Sequence, residues 1–324
     1  MDALGQCHDL MRQSLLAAIA GRAASAANAQ TEDTFHEMLE YFIGRCKAPE
    51  HTATVTAEDE VMMGKAKDAG MRIVQAWRDA GGAQQERDHP EEGKTMLAVM
   101  DKAGNSDDEM ASMLVNAIIA GAEAPGSTLA QLLQEVAFNA PLQQALVQEV
   151  SSVAKGGEVY KVNAKLKYTE ACVMEGLRFF APATLVQRVA VVPTTLGGYT
   201  IPAGTVVGVC VTAVHRDAKN FANPWAFDPL SRGKLNVHLL TEKKCFMTFS
   251  GGPRGCPGKH LGILMLRISL AKIMQRFELS ASWRRGRDHL HAAGQDDGHG
   301  IPKFVEWQVK GIPVELKRRP AAKL

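Results

Sequence analysis

At 324 residues the chain is long enough for one large domain or two ordinary ones with a substantial core. Its 37 Lys and Arg nearly balance its 35 Asp and Glu, so nothing in the charge points to nucleic acid or another polyanion. No run approaches the roughly eighteen apolar residues of a membrane-spanning helix, and the six cysteines are scattered without a C-x-x-C pair. That usage fits reduced thiols in an intracellular compartment and argues against a disulfide framework.

Residues 10–29 carry Leu10, Met11, Leu15, Leu16 and Ile19 among alanines and read as a helix. Ala27-Asn28-Ala29 imitates a signal-peptidase site, but Asp2 and Asp9 spoil the basic leader that should precede it. A second helix is expected over Thr34–Cys46, where Phe35, Met38, Leu39 and Phe42 keep helical spacing, and a third over Ala57–Asp79, stopped by Gly81-Gly82. Thr95–Lys102 gives a short helix ending near Gly104. Ser106 with Glu109 forms a capping-box pattern ahead of the longest helix, Met110 to about Phe138. Its middle reads Ala120-Gly121-Ala122-Glu123, followed by Pro125-Gly126, an interior kink signal.

Helical patterns continue over Pro141–Val153 and Ala164–Phe180, the latter containing Glu175-x-x-Arg178. As an exposed i,i+3 pair it is worth only tenths of a kcal/mol. From Val186 the period becomes that of strands. Val186–Val192 and Thr205–Thr212 are rich in β-branched residues, with turns at Gly197-Gly198 and Ala203-Gly204. A cluster of Lys243, Lys244, Lys259, Arg267 and Lys272 surrounds the next glycine-rich turn, and a charge run is ordinarily a solvated face. Arg284–Gly300 reads as a polar loop and Lys303–Lys317 as a terminal hairpin.

The stretch the chain is organised around runs Phe249-Ser-Gly-Gly-Pro-Arg-Gly-Cys-Pro-Gly258, with an amphipathic run from Lys259 to Phe277 behind it. Pro257 suits the first turn of that helix, which puts Cys256 at a helix N-terminus where free N–H groups favour a thiolate. A thiolate is a soft metal ligand, and a single one suits an axial haem bond better than a zinc site. The usual fate of a lone Cys is that of a small buried hydrophobe. That reading accounts for neither the surrounding glycines nor Arg254.

Phe249, Gly252, Arg254, Cys256 and Gly258 fill the pattern F-x-x-G-x-R-x-C-x-G, which resembles the haem-binding signature of the cytochrome P450 family. The resemblance implies that Cys256 is the axial ligand of a haem b iron and that Phe249 packs beside its sulfur. It further implies that Gly252 allows a tight hairpin, that Arg254 holds a propionate and that Gly258 lets the backbone approach the porphyrin. Ala120, Gly121 and Glu123 are similar to the A-G-x-[DE]-T segment of the family's central helix, but Ala124 stands where that segment has its threonine. Glu123 is then the candidate distal acid. Glu175 and Arg178 match the family's E-x-x-R pair, buried and structural there, and Arg188 becomes a second propionate ligand. Gly198–Thr205 is similar to the hairpin beyond that pair, and His215-Arg216-Asp217 through Arg232 to the segment after it. Arg232 is the expected third arginine of the structural cluster, although it follows Phe227 by five residues where four is usual.

The resemblance covers about Met110–Leu316 and implies a mainly α fold with small β-sheets, one P450-like domain over 1–324. Residues 1–109 are its motif-poor upstream helices and 110–324 carry its motifs. The family's W-x-x-x-R is not filled, since Gly81 stands where Trp77 calls for an arginine, so the chain is expected to lack the family's amino-terminal section. The implied function is a haem-thiolate monooxygenase that oxidises a small lipophilic substrate with O2 and electrons from a reductase or ferredoxin-type donor. The basic cluster behind the cysteine then steers an acidic donor. Two alternatives stand beside it: a peroxide-using or hydroperoxide-rearranging haem-thiolate enzyme, and a non-catalytic truncated remnant.

Overall fold

A computed structural model describes residues 41, 56–84, 95–155, 157–230, 240, 242–281 and 314–319. The helix expected over 10–29, the one over 34–46 apart from Tyr41, Arg232, the loop over 284–300 and most of the terminal hairpin lie outside these residues. The described residues are mainly helical with three two-stranded sheets. They divide between two compact units whose boundary falls at Gly126/Ser127, inside the longest helix.

In the first unit, helix α1 spans Ala57–Asp79, α2 Met96–Lys102, and α3 begins at Asp107 and runs to Phe138. Each start is fixed locally. Thr56 and Asp59 form a reciprocal capping box at α1. Ahead of α3, the Ser106 N–H donates to Glu109 Oε2 at 2.8 Å and the Glu109 N–H to Ser106 Oγ at 3.3 Å. Ala66, Ala69, Ile73, Val74 and Trp77 of α1 are buried, as are Met110, Ala111, Leu114, Val115 and Ile118 of α3. Gly70 brings the two backbones together, for a Cβ there would stand 2.9 Å from the Ala111 carbonyl oxygen. Arg78 at the end of α1 reaches Asp101 and Asp107, each at 2.7 Å.

The second unit takes the rest of α3, which is continuous through Pro125, with α4 at Ala140–Ala154 and a 3-10 turn at Val159–Lys165. Helix α5, Lys167–Phe180, is its centre: every residue from Ala171 to Phe180 is buried. Leu166, preceding α5, has no oxygen in its side chain to cap the helix. Glu149 of α4 does this instead, accepting from the amides of Tyr168 at 2.6 Å and Thr169 at 2.8 Å. Strands β1 (Leu185–Val189) and β4 (Val206–Cys210) pair antiparallel, as do β2 (Thr194–Leu196) and β3 (Tyr199–Ile201). Helix α6 follows β4 directly at Val211–Arg216, so the run of β-branched residues to Thr212 changes structure at Val211.

Helix α7 occupies Lys259–Arg276 and is followed by β5, Phe277–Ala281. The terminal strand β6, Val314–Arg318, pairs antiparallel with β5, a long-range partner rather than a hairpin neighbour. Gln143 of α4 extends that sheet with its side chain, donating to the Leu279 carbonyl at 3.0 Å and accepting its N–H at 2.8 Å.

Candidate functional site

The site is built outward from α5. Glu175 and Arg178 are 1% and 3% exposed, one turn apart in the stretch of that helix that is buried throughout. Arg178 is bidentate on its partner, Nε to Oε2 at 2.9 Å and one terminal nitrogen to Oε1 at 2.7 Å. Its remaining donors go to backbone carbonyls of His215 (3.1 Å), Pro224 (2.9 Å) and Ala226 (2.9 Å), while the Asp228 N–H donates to Glu175 Oε1 at 3.0 Å. One helical ion pair therefore fixes the course of the chain from α6 to Asp228.

Arg216 joins this cluster. It donates to the Pro224 carbonyl at 3.0 Å and the Phe179 carbonyl at 2.7 Å, with its guanidinium 3.8 Å from the Phe179 ring centroid. Desolvation, with the Arg178 charge beside it, lowers its pKa to about 10. Arg216 lies in the His215-Arg216-Asp217 run, but its residue type and spacing do not mark it as a member of the arginine cluster. Its proximity depends on carbonyls that sequence does not locate.

The same framework carries the glycine-rich loop. Thr248 donates its hydroxyl to the Leu177 carbonyl at 2.8 Å, and the Met247 N–H donates to His215 Nε2 at 2.9 Å. Beyond these anchors the chain turns back on itself. The Cys256 N–H donates to the Phe249 carbonyl and the Gly255 N–H to the Gly252 carbonyl, both at 2.9 Å. Ser250 and Gly252 take positive φ, 57° and 68°, and at Gly252 the absence of a Cβ removes the cost.

Helix α7 starts at Lys259 with Gly258 as its cap, two residues later than Pro257 suggests. The first helical bond runs from the Gly262 N–H to the Gly258 carbonyl at 2.8 Å, while the Cys256 amide closes the loop on the Phe249 carbonyl.

Cys256 is exposed. A Cβ at Gly251 or Gly262 would meet nothing within 4 Å, and at Gly258 only the Cys256 sulfur at 3.9 Å. The packing of the chain itself does not demand these glycines, and Gly258 leaves bare backbone beside the sulfur. Arg254 is exposed and has no hydrogen-bond or ion-pair partner among the described residues, and Arg188 of β1 reaches Ser250 Oγ at 3.4 Å. A soft sulfur, bare backbone beside it and two cations suit a flat, metal-bearing group with anionic arms. Among the described residues no cluster of His, Cys, Asp and Glu offers a conventional metal site.

On α3, Ala120 and Glu123 are exposed and Gly121 is half-buried. Although Glu123 reaches solvent, desolvation by the protein around it raises its carboxyl pKa above the ordinary range. Ala124 brings no hydroxyl to this turn, whereas Ser127 and Thr128 are buried one turn on.

Comparison with known proteins agrees with this architecture. The family profile described as Cytochrome P450 matches residues 24–292. The chain is 32% identical over 177 residues to thromboxane-A synthase of Sus scrofa, covering 54% of this chain and 33% of that protein. It is 29% identical over 226 residues to hexahomomethionine N-hydroxylase of Arabidopsis thaliana, covering 66% and 41%. Against cyclooctat-9-en-7-ol 5-monooxygenase of Streptomyces melanosporofaciens it is 28% identical over 193 residues, covering 59% and 40%. The matches thus span 33% to 41% of these relatives' lengths.

Proposed function

The chain belongs to the cytochrome P450 family, and from that premise we propose that it acts as a haem-thiolate monooxygenase on a small lipophilic substrate. It uses O2 and takes electrons from a reductase or ferredoxin-type partner. The observation that carries the reading is the complete loop from Phe249 to Gly258, with an exposed cysteine beside the bare backbone of Gly258. A monooxygenase and an N-hydroxylase among its relatives support it.

The residues fit haem b. Cys256 would ligate its iron, Arg254 and Arg188 would pair with its propionates, and Gly258 would leave room for it beside the backbone. When bound, a thiolate-ligated haem iron supplies the power to cleave O–O bonds and oxidise C–H bonds. The chain supplies the rest. The Phe249 carbonyl takes the Cys256 amide and so holds the cysteine backbone at the loop's end. Arg254, without a competing partner among the described residues, keeps its donors for an anionic arm. Glu123 is the proposed acid, and its raised pKa keeps more of it protonated near neutrality.

The test is isotopic. With haem, reductant and labelled O2, one labelled atom should enter product and the other water. Product labelled from water alone overturns the reading.

One observation favours a second reading: Ala124 lacks a hydroxyl where a proton relay would need one. A peroxide-using enzyme needs no such relay, because peroxide brings its own protons. On the monooxygenase reading, Ala124→Thr raises the product formed per reductant consumed and leaves peroxide-driven turnover little changed. Equal coupling in the two proteins, with faster peroxide turnover in both, favours the second reading.

A further inference from the structure

His215 is fully buried at the junction of α5, α6 and the head of the cysteine loop. Its ring stacks on Phe246 with centroids 5.6 Å apart and meets Phe221 edge-on at 5.9 Å. The Met247 N–H can only donate, so Nε2, 2.9 Å away, must be the unprotonated nitrogen. Nδ1 then carries the proton and donates to the Arg178 carbonyl at 3.0 Å. A neutral imidazole offers one donor and one acceptor, and here both are used, in a single tautomer. Met247 in turn accepts the Ser250 N–H at 2.8 Å, the turn after which the loop runs to Cys256.

We propose that His215 is a positioning residue for the cysteine loop. Its neutral ring ties the Met247 amide to the Arg178 carbonyl, and proton uptake at Nε2 releases that tie. A protonated Nε2 would set a donor against the Met247 donor, and no rotation of the ring restores both bonds. The claim about the loop stands on the hydrogen bonds alone. Its consequence, an acid-labile thiolate ligation, rests on the haem-thiolate reading.

The charges facing the ring support a neutral state at physiological pH. Arg178 and Arg216 present positive charge from α5 and α6, Glu175 is committed to Arg178, and Lys243 lies over the Phe221 ring. Desolvation is the largest cause, and with the two arginines it lowers the pKa to about 4. Because the folded value lies below the ordinary one near 6.5, the unfolded or released chain takes up the proton first. The tie is therefore fully present above that ordinary value and is lost as pH falls towards the folded value.

The test uses the whole chain, with and without haem. Nitrogen NMR of the imidazole should show the Nδ1–H tautomer, titrating well below the ordinary histidine range. Hydrogen exchange, corrected for intrinsic rate, should show the Met247 amide losing protection on acidification while the α5 amides keep theirs. His215→Phe keeps the stack but neither bond, and should lower that protection about five- to tenfold at neutral pH, the size of one hydrogen bond. His215→Gln retains an uncharged acceptor and should hold protection through the acid range. In the haem-loaded proteins, the thiolate band should collapse in the same pH window for the parent and at lower pH for His215→Gln.

An ordinary imidazole titration in the folded chain, the opposite tautomer, or unchanged protection in His215→Phe overturns the proposal. Should neither variant fold, the parent's imidazole titration decides alone. If protection responds as described but no protein ever shows a thiolate band, the haem-thiolate reading fails and the positioning role stands.

Discussion

Arg78 and Arg178 are both arginines at the ends of helices, and both are held by acidic partners at 2.7 Å. Their surroundings differ. The side chains of Arg78, Asp101 and Asp107 are 34%, 28% and 42% exposed, so water screens the pairing and can replace it. Arg178 and Glu175 have almost no water, and the guanidinium must satisfy its donors on three backbone carbonyls as well. The same chemistry is a modest clasp in one unit and an organising centre in the other. Burial, not the distance between charges, decides which.

That contrast predicts a ranking. Glu175→Ala leaves a buried guanidinium without its counter-charge, with Arg216 close by, and strands the Asp228 N–H. The expected loss is about 3–5 kcal/mol, seen as a lower denaturation midpoint together with lower soluble yield. A variant of parental stability would mean that the carbonyl cage alone carries Arg178. A neutral change should come next. Gly70→Ala forces a Cβ to 2.9 Å from a backbone oxygen, where neither partner is a flexible side chain, and should cost about 1–3 kcal/mol. Arg78→Ala should cost least, about 0–1 kcal/mol, and less again at high salt. If Arg78→Ala proved as damaging as Glu175→Ala, exposure would not be the deciding variable.

The same division separates what could be read in the sequence from what could not. Signals that act within one turn were legible. Ser106 with Glu109 marked the start of α3, the Ala57–Asp79 helix has the bounds its pattern gives, and Glu175-x-x-Arg178 stood out at helical spacing. Signals that depend on distant backbone were not. Glu149 caps α5 from another helix, Gln143 extends a sheet with its amide, and β6 finds β5 across the intervening chain. The arginine reading shows the limit most clearly. The family resemblance pointed to Arg232, which lies outside the described residues, while Arg216 is drawn into the cluster by the carbonyls of Phe179 and Pro224. Behind the cysteine loop the run from Lys259 was legible as α7, whereas Pro257 pointed to a first turn two residues too early, because the loop continues to Gly258 before the first helical bond forms.

The central claim is that Cys256 ligates haem iron as a thiolate, and the spectrum of the reduced, CO-bound chain tests it most directly. After haem loading, the parent should show the red-shifted Soret band of a thiolate ligand, and Cys256→Ala should lack it while keeping the helical circular dichroism of the parent. An unshifted band of the histidine-ligated kind in the parent, or a shifted band that survives in Cys256→Ala, would contradict the account.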